Sequence, residues 1–288
     1  MKLARLILFS LIASALITSA QNASSHDRIR VAFWNIQWFP GRHPDAAPSA
    51  ERAQINSVLA DFHQIDADVV GLEEVRDFDK AGVAVSPLAN FKVDVCADFP
   101  PRENQNVAQQ VALTSRLPAL SAWSEMWQAH GPMTPPRGFA FAAYTIAPQK
   151  LLLVYALHLK SNRGEIAEDI AIREEAMRQL CAHMDAMENA YGKLGEITWI
   201  VGGDFNTAPD DPRFATEKTT HLLTARGFSW CWQNVPAADR ITLPPDKRFP
   251  AACFDHIFYR NAKLLSARVI PTSPQSSDHR AVWAELEY

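Results

Sequence analysis

Six short apolar runs in this chain share one feature. Each meets, at one end, a side chain able to bind a metal ion or move a proton. "IRVAFWN" (29–35) stops at Asn35, "ADVVGLEEV" (67–75) reaches Glu73 and Glu74, "LLLVYALHL" (151–159) carries His158, and "WIVGGD" (199–204) ends on Asp204 with Asn206 two residues beyond. "FDHIFY" opens on Asp255 and "SDHRAVWAEL" on Asp278 and His279. Neighbouring antiparallel strands set the end of one beside the start of the next. If the last two runs lie antiparallel to the first four, all six polar ends fall along one rim. A chain patterned this way must build sheets.

The remaining segments fit that frame. "FKVDVCADF" (91–99) alternates as a strand, and "VALTS" (111–115) and "FAFAAYTIA" (139–147) add two more. Pro148-Gln149-Lys150 separates 139–147 from 151–159 as a hairpin turn would. The closing strands are expected near 253–260, 265–271 and 280–287. Helical spacing appears in "ERAQINSVLADFHQI" (51–65), with Ser49 as its candidate cap, and in the amphipathic stretch 166–190, ended by Gly192. "SAWSEMW" (121–127) is the nearest candidate for an exposed apolar hairpin of the kind a membrane-docking enzyme uses, and reads equally as a core helix. No repeat, low-complexity segment or linker divides the chain. One α+β domain over residues 28–288 is expected, with two packed, mainly antiparallel sheets flanked by helices.

Composition narrows the setting. Hydrophobic residues make up 48% of the 288 residues, enough for a sizeable core. Residues 1–20 carry Lys2 and Arg5, an apolar stretch from Leu6 to Ile17 and the small-residue site Thr18-Ser19-Ala20, the pattern of a cleaved export signal. The mature protein is therefore expected to be secreted or periplasmic. No later segment is long and apolar enough to span a bilayer, so no stable membrane association is expected. An oxidising compartment makes the four cysteines disulfide candidates. Cys231 and Cys253, which bracket the Pro-rich loop 234–250, are the first pairing, and Cys96 with Cys181 the second. Net charge is −4, and −6 without Lys2 and Arg5. A protein that holds nucleic acid tightly carries a basic patch, so this balance disfavours a binding module more than an enzyme that binds and releases. Nothing points to a protein partner or an oligomer.

The polar rim combines carboxylates, carboxamides and two histidines without a cysteine. That donor set suits Mg²⁺, with Mn²⁺ or Ca²⁺ as alternatives, better than zinc or copper. Phosphodiester hydrolysis needs a cation, an activated water and a proton for the leaving oxygen. Each motif alone has a bland explanation: His158 as a structural histidine, Glu73 and Glu74 as surface charges, Asp278-His279 as a loop dipeptide. Asp204-x-Asn206 also resembles the start of a calcium loop, but Pro209 stands where that loop needs glycine. The repeated placement at strand ends sets them apart.

In this order the motifs resemble the endonuclease/exonuclease/phosphatase superfamily, the group of deoxyribonuclease I. "FWNIQWF" is similar to its first strand, "GLEEV" to its Leu-Gln-Glu-Val, "ALHLKSN" to its histidine strand and "GGDFN" to its most specific signature. "FDHIFY" and "SDHRAV" complete the set. The resemblance implies a four-layer α/β/β/α sandwich with a divalent-metal phosphoesterase site on one edge. It assigns metal binding to Asn35, Glu74 and Asp278, with Glu73 in the place of the family's glutamine. Asp204 and Asn206 would orient water or phosphate, Asp255 would orient His279, and His158 would face the scissile phosphate. Arg137 and Asn162 are candidate substrate contacts. One departure stands out: Gln109 or Gln110 sits where related deoxyribonucleases carry a glutamate behind the first histidine.

The resemblance implies a nuclease acting on DNA or RNA with little sequence preference. Rivals on the same scaffold are a sphingomyelinase-like lipid phosphodiesterase and a phosphomonoesterase. A silent binding protein is a further rival, disfavoured by the near-complete residue set. The inositol-phosphatase signature is absent, since Ala251-Ala252-Cys253-Phe254-Asp255-His256 occupies its place.

Overall fold

The computed structural model describes residues 27–101, 107–131, 133–247 and 249–288; the leader expected over residues 1–20 lies outside them. The chain begins β1 (Arg28–Phe39), α1 (Pro48–Phe62), β2 (Val69–Val75), α2 (Phe78–Val85), β3 (Lys92–Cys96), β4 (Gln110–Ser115). It continues β5 (Ala119–Met126), β6 (Gly138–Ala147), β7 (Lys150–His158), α3 (Ile166–Tyr191), β8 (Glu196–Asp204), α4 (Thr219–Thr224). It closes with β9 (Ser229–Trp230), β10 (Asp255–Arg260), β11 (Lys263–Ile270) and β12 (Ala281–Glu287).

Two six-stranded sheets form, ordered β11-β12-β1-β2-β4-β3 and β5-β6-β7-β8-β10-β9. Both are mixed. Each has one parallel pair at its centre, β1 with β2 and β7 with β8, and every other pairing is antiparallel. The inner faces meet in one core that includes Phe33, Val69, Val154, Ala156, Ile200, Ile257 and Val282. The outer face of the first sheet packs Trp34, Leu72 and Trp283 with Val58 and Phe62 of α1. The outer face of the second packs Tyr155, Trp199 and Val201 with Met177, Leu180 and Met184 of α3. The α/β/β/α layering follows from these three apolar clusters.

Phe33 explains how closely the sheets approach. A Cβ on Gly71 or on Gly202 would lie 2.3 Å from its ring, so Phe33 fits between the sheets only because both positions are glycine. The first glycine of "GGDFN" is thus a packing requirement of the opposite sheet.

Several sequence expectations change. Ser49 does not cap α1: the helix starts at Pro48 with Ala47 before it, and no side chain caps it. Residues 121–127 are no helix but belong largely to edge strand β5, half-buried on both faces, with Ala122 toward the inner core and Trp123 toward the outer one. All four cysteines are free thiols. Cys96 packs on the outer side of the first sheet and Cys181 on the outer side of the second. Two sheets stand between them, which excludes that pair, since a disulfide needs Cα atoms within about 7 Å. Cys231 and Cys253 share the inner cluster.

Candidate active site

The site is the continuation of the two inner faces past the end of the core. Strand side chains alternate with period two, so the inward row Phe33, Gly71, Ala156, Gly202, Ile257 is followed by Asn35, Glu73, His158, Asp204 and Asp255. Register fixes the neighbours: Asn35 lies opposite Glu73, His158 opposite Asp204, and Asp255 opposite Asp204. In β2 the alternation then breaks. Glu74 adopts φ +60°, with register shifts against both neighbouring strands. A regular strand would send Glu74 toward the outer layer. The left-handed turn brings it into the cleft instead, beside Asn35, and such local strain is characteristic of functional sites.

Asn35 braces two carboxylates. Its amide nitrogen donates to Glu74 Oε1 at 3.2 Å and Asp204 Oδ2 at 3.1 Å, while its carbonyl accepts from the Gln37 N–H. Glu74 Oε2 accepts from the Trp38 N–H at 3.1 Å. Asp204 is nearly inaccessible: Oδ1 accepts from the Asn206 N–H at 2.9 Å, and Oδ2 lies 3.5 Å from His158 Nε2 and 3.8 Å from His279 Nε2. His158 Nε2 is also 3.8 Å from Glu74 Oε1. His279 Nδ1 donates to Asp255 Oδ2 at 2.8 Å, which leaves Nε2 facing Asp204.

Local bonds hold His279 across the two sheets. The Ser277 hydroxyl donates to the Asn35 carbonyl and accepts from the His279 N–H, and the Trp34 indole donates to the His279 carbonyl. On the other side Thr242 Oγ1 accepts from the Phe254 and Asp255 N–H groups. The backbone of His279 therefore belongs to the first sheet and its ring to the second.

Electrostatics follow burial. Burial pushes the Asp204 carboxyl up to about 7, with the nearby Asp255 carboxylate adding and His279 opposing. Burial alone would lower His279, but Asp255 and Asp204 raise it well above the usual histidine range. Burial and then Asp278 raise Glu74. Glu73 is fully buried, not the surface charge its sequence context allows. Both its oxygens lack a hydrogen-bond partner among the described residues, and burial with Asp255 and Asp204 holds it well above the carboxylate range.

The other candidates fall around this centre. Asp278 is exposed at the rim, its N–H donating to Gln37 Oε1. Asn206 Nδ2 donates to the Leu159 carbonyl. Asn162 buttresses that loop: its amide donates to the Asn206 carbonyl at 2.7 Å and its oxygen accepts from buried Arg173. Arg137, at φ +68°, donates to the carbonyls of His158 and Leu159 and to Gln109 Oε1. Gln110 is engaged with the Phe99 backbone. Gln109 thus steadies Arg137, which in turn holds the backbone of the histidine strand. Arg173, bidentate to Glu217, and Glu217, which accepts from Thr207, are site supports the sequence reading missed. Their only sequence signal was a charged residue on the apolar-spaced face of α3.

The donor set fits a divalent cation. Glu74 and Asp278 face one cleft and repel one another, and their oxygens suit a hard ion. Asp204, Asp255 and His279 bring one donor atom each within 4.8 Å of one another.

The family model of the endonuclease/exonuclease/phosphatase family matches residues 32–279. The chain belongs to this family. It is a phosphoric ester hydrolase, and its sandwich is the family's fold. Among solved structures it is similar to an endonuclease/exonuclease/phosphatase from Beutenbergia cavernae, with 17% identity, TM-score 0.68, and coverage of 91% of this chain and 72% of that one. D. rerio TDP2 complexed with a single-strand DNA product gives 15% identity and TM-score 0.63, covering 91% and 99%. The human Nocturnin catalytic domain with bound sulfate gives 16% and 0.64, covering 92% and 94%. No curated protein matches the chain.

Proposed function

We propose that this protein is an exported, divalent-cation-dependent nuclease that hydrolyses phosphodiester bonds of DNA, with RNA the second substrate, at little sequence preference. One observation carries the reading. The Asp204 carboxylate lies between His158 and the Asp255-paired His279, facing Glu74 and Asp278 across one cleft of about 600 Å³. The single-strand DNA product held by D. rerio TDP2 supports nucleic acid as the substrate class.

Glu74 and Asp278 would hold the cation, with Asn35 setting the Glu74 carboxylate; Mg²⁺ is the first choice, Mn²⁺ or Ca²⁺ the alternatives. Bound there, it supplies neutralising charge for a phosphate oxygen. Asp204, fixed by Asn35 and the Asn206 N–H, orients the attacking water. Asp255 fixes the His279 tautomer so that Nε2 points at the phosphate. His158 approaches from the side of the histidine strand. Arg137 and Asn162 act through backbone they hold, as positioning residues.

Export rests on residues 1–20, and in an oxidising compartment Cys231 and Cys253, which share the inner cluster, would pair. Mass spectrometry of the exported protein would find cleavage near Ala20 and loss of two thiols. A full-length, fully reduced chain in the cell would refute both points.

Purified mature protein tests the activity. Circular single-stranded DNA, supercoiled plasmid, RNA, sphingomyelin vesicles and a phosphomonoester are incubated with Mg²⁺ or with EDTA. Cation-dependent breakage of a nucleic acid, abolished by Asp204→Ala, supports the proposal. Turnover confined to the lipid or the monoester overturns it.

A further inference from the structure

The cleft has one wall unlike the others. Residues 243–247 and 249–252 run as the two arms of a hairpin in which Leu243 and Ala252 exchange two backbone hydrogen bonds of 2.9 Å. Its tip is closed by the Asp246 N–H donating to the Phe249 carbonyl and the Phe249 N–H donating to Asp246 Oδ1 at 2.7 Å. Its base stands on buried Phe214, Ala252 and Phe254. Phe249 at the tip is 57% exposed, the most exposed large apolar side chain among the described residues, and it lines the same cleft as Asp204 and His279.

The loop between β7 and α3 lines the same cleft. It brings Lys160 and Arg163 into the cleft, while Arg213 lies over the rings of Phe214 and Phe254 at 5.3 and 5.9 Å. Lys160 is paired with Asp169 and Arg213 with Asp211. Arg163 is exposed and has no ion pair among the described residues. An open aromatic ring and an uncommitted cation lining one cleft, at the proposed phosphodiester-cleaving centre, match the way unpaired nucleic acid is held: bases stack on rings while cations follow the phosphates. A duplex keeps its bases stacked on each other and offers none to Phe249. A lipid surface would need a contiguous apolar patch, whereas Phe249 shares its turn with the charged Asp246 and Lys247, both exposed.

We propose that the substrate is a single-stranded nucleic acid, one base of which stacks on Phe249 while Arg163 meets a phosphate flanking the scissile one. This rests on the nuclease reading and narrows it.

The test compares KM for three strands of equal length: a single-stranded oligonucleotide, the same sequence as duplex, and a fully abasic strand. Each is cut by wild type, Phe249→Ala and Phe249→Trp. Expected is a KM for the base-bearing single strand on the order of tenfold below the other two, the effect of one stacked base. Phe249→Ala should remove that gap by raising this KM alone, and Phe249→Trp should keep it. An unchanged KM in Phe249→Ala, or an equal rise on the abasic strand and the duplex, overturns the stacking proposal and leaves the nuclease reading standing. Failure of wild type to cut any strand, with turnover of sphingomyelin vesicles, overturns both.

Discussion

The two sheets repeat one plan and present different side chains with it. Each has a central parallel pair whose ends carry site residues: Asn35 and Glu74 from β1 and β2, His158 and Asp204 from β7 and β8. Each also has an antiparallel neighbour beginning at the same rim, after Asp278 and His279 for β12 and at Asp255 for β10. In the second sheet the register runs regularly to the end, and its carboxylates are almost entirely enclosed. In the first the pairing is irregular beyond Asn35, with Gln37, Trp38 and Glu74 all at positive φ. The regular half buries groups suited to moving protons. The distorted half turns oxygen ligands outward, where an ion can reach them. His279 joins the halves, anchored on one and bonded to the other.

If the second sheet does the proton chemistry, damage there should be the most severe. Asp204→Ala is expected to lower kcat/KM for DNA by about 10³-fold or more, because it removes the carboxylate proposed to orient water from between both histidines. Asp255→Asn should cost about 10²-fold in kcat by releasing the His279 tautomer, with little change in KM. Steady-state rates on one oligonucleotide check both. A first-sheet variant as damaging to kcat at saturating Mg²⁺ would break the contrast.

Stability tests the contact between the sheets. Phe33→Ala should destabilise by about 3–5 kcal/mol, the cost of emptying a buried aromatic site. Gly202→Ala should cost about 1–3 kcal/mol by overpacking against that ring. Urea unfolding of each single variant and the double measures their coupling, and combining them should recover part of the Gly202→Ala cost.

The smallest expected effect concerns Glu73. Its folded pKa lies above the unfolded value, so the fold favours the protonated form, and stability falls as pH rises from the ordinary carboxylate range toward the folded value. Glu73→Gln should therefore raise Tm, and by more at pH 8 than at pH 5. An equal change at both values would mean that Glu73 does not titrate between the two states.

Much of this was legible in the sequence because apolar runs that stop at polar side chains mark strand ends along one rim. The runs ending at Asn35, His158 and Asp204 are apolar on both faces, so which face each residue enters is set by the packing of the two sheets. Glu73 and Glu74 show where the rule fails. A left-handed residue exchanges which carboxylate enters the cleft, and nothing in "GLEEV" itself announces that φ. Residues 121–127 misled because edge strand β5 carries Trp123 toward α3 and its alternation is weak. The roles of Gln109 and Arg137 depend on contacts between segments about 20 to 30 residues apart, and that of Gln110 on a contact with Phe99, none of which a local pattern encodes. The hairpin carrying Phe249 read only as a Pro-rich loop, because its register is set by the two bonds between Leu243 and Ala252.

The most direct test is a Mg²⁺ titration of DNA cleavage by wild type, Glu74→Gln and Asp204→Ala. The account predicts no wild-type cleavage in EDTA. It predicts a half-saturating Mg²⁺ raised at least tenfold in Glu74→Gln with the rate recovering at excess cation, and no recovery of Asp204→Ala at any concentration. Wild-type cleavage in EDTA, or full rescue of Asp204→Ala by excess Mg²⁺, would contradict it.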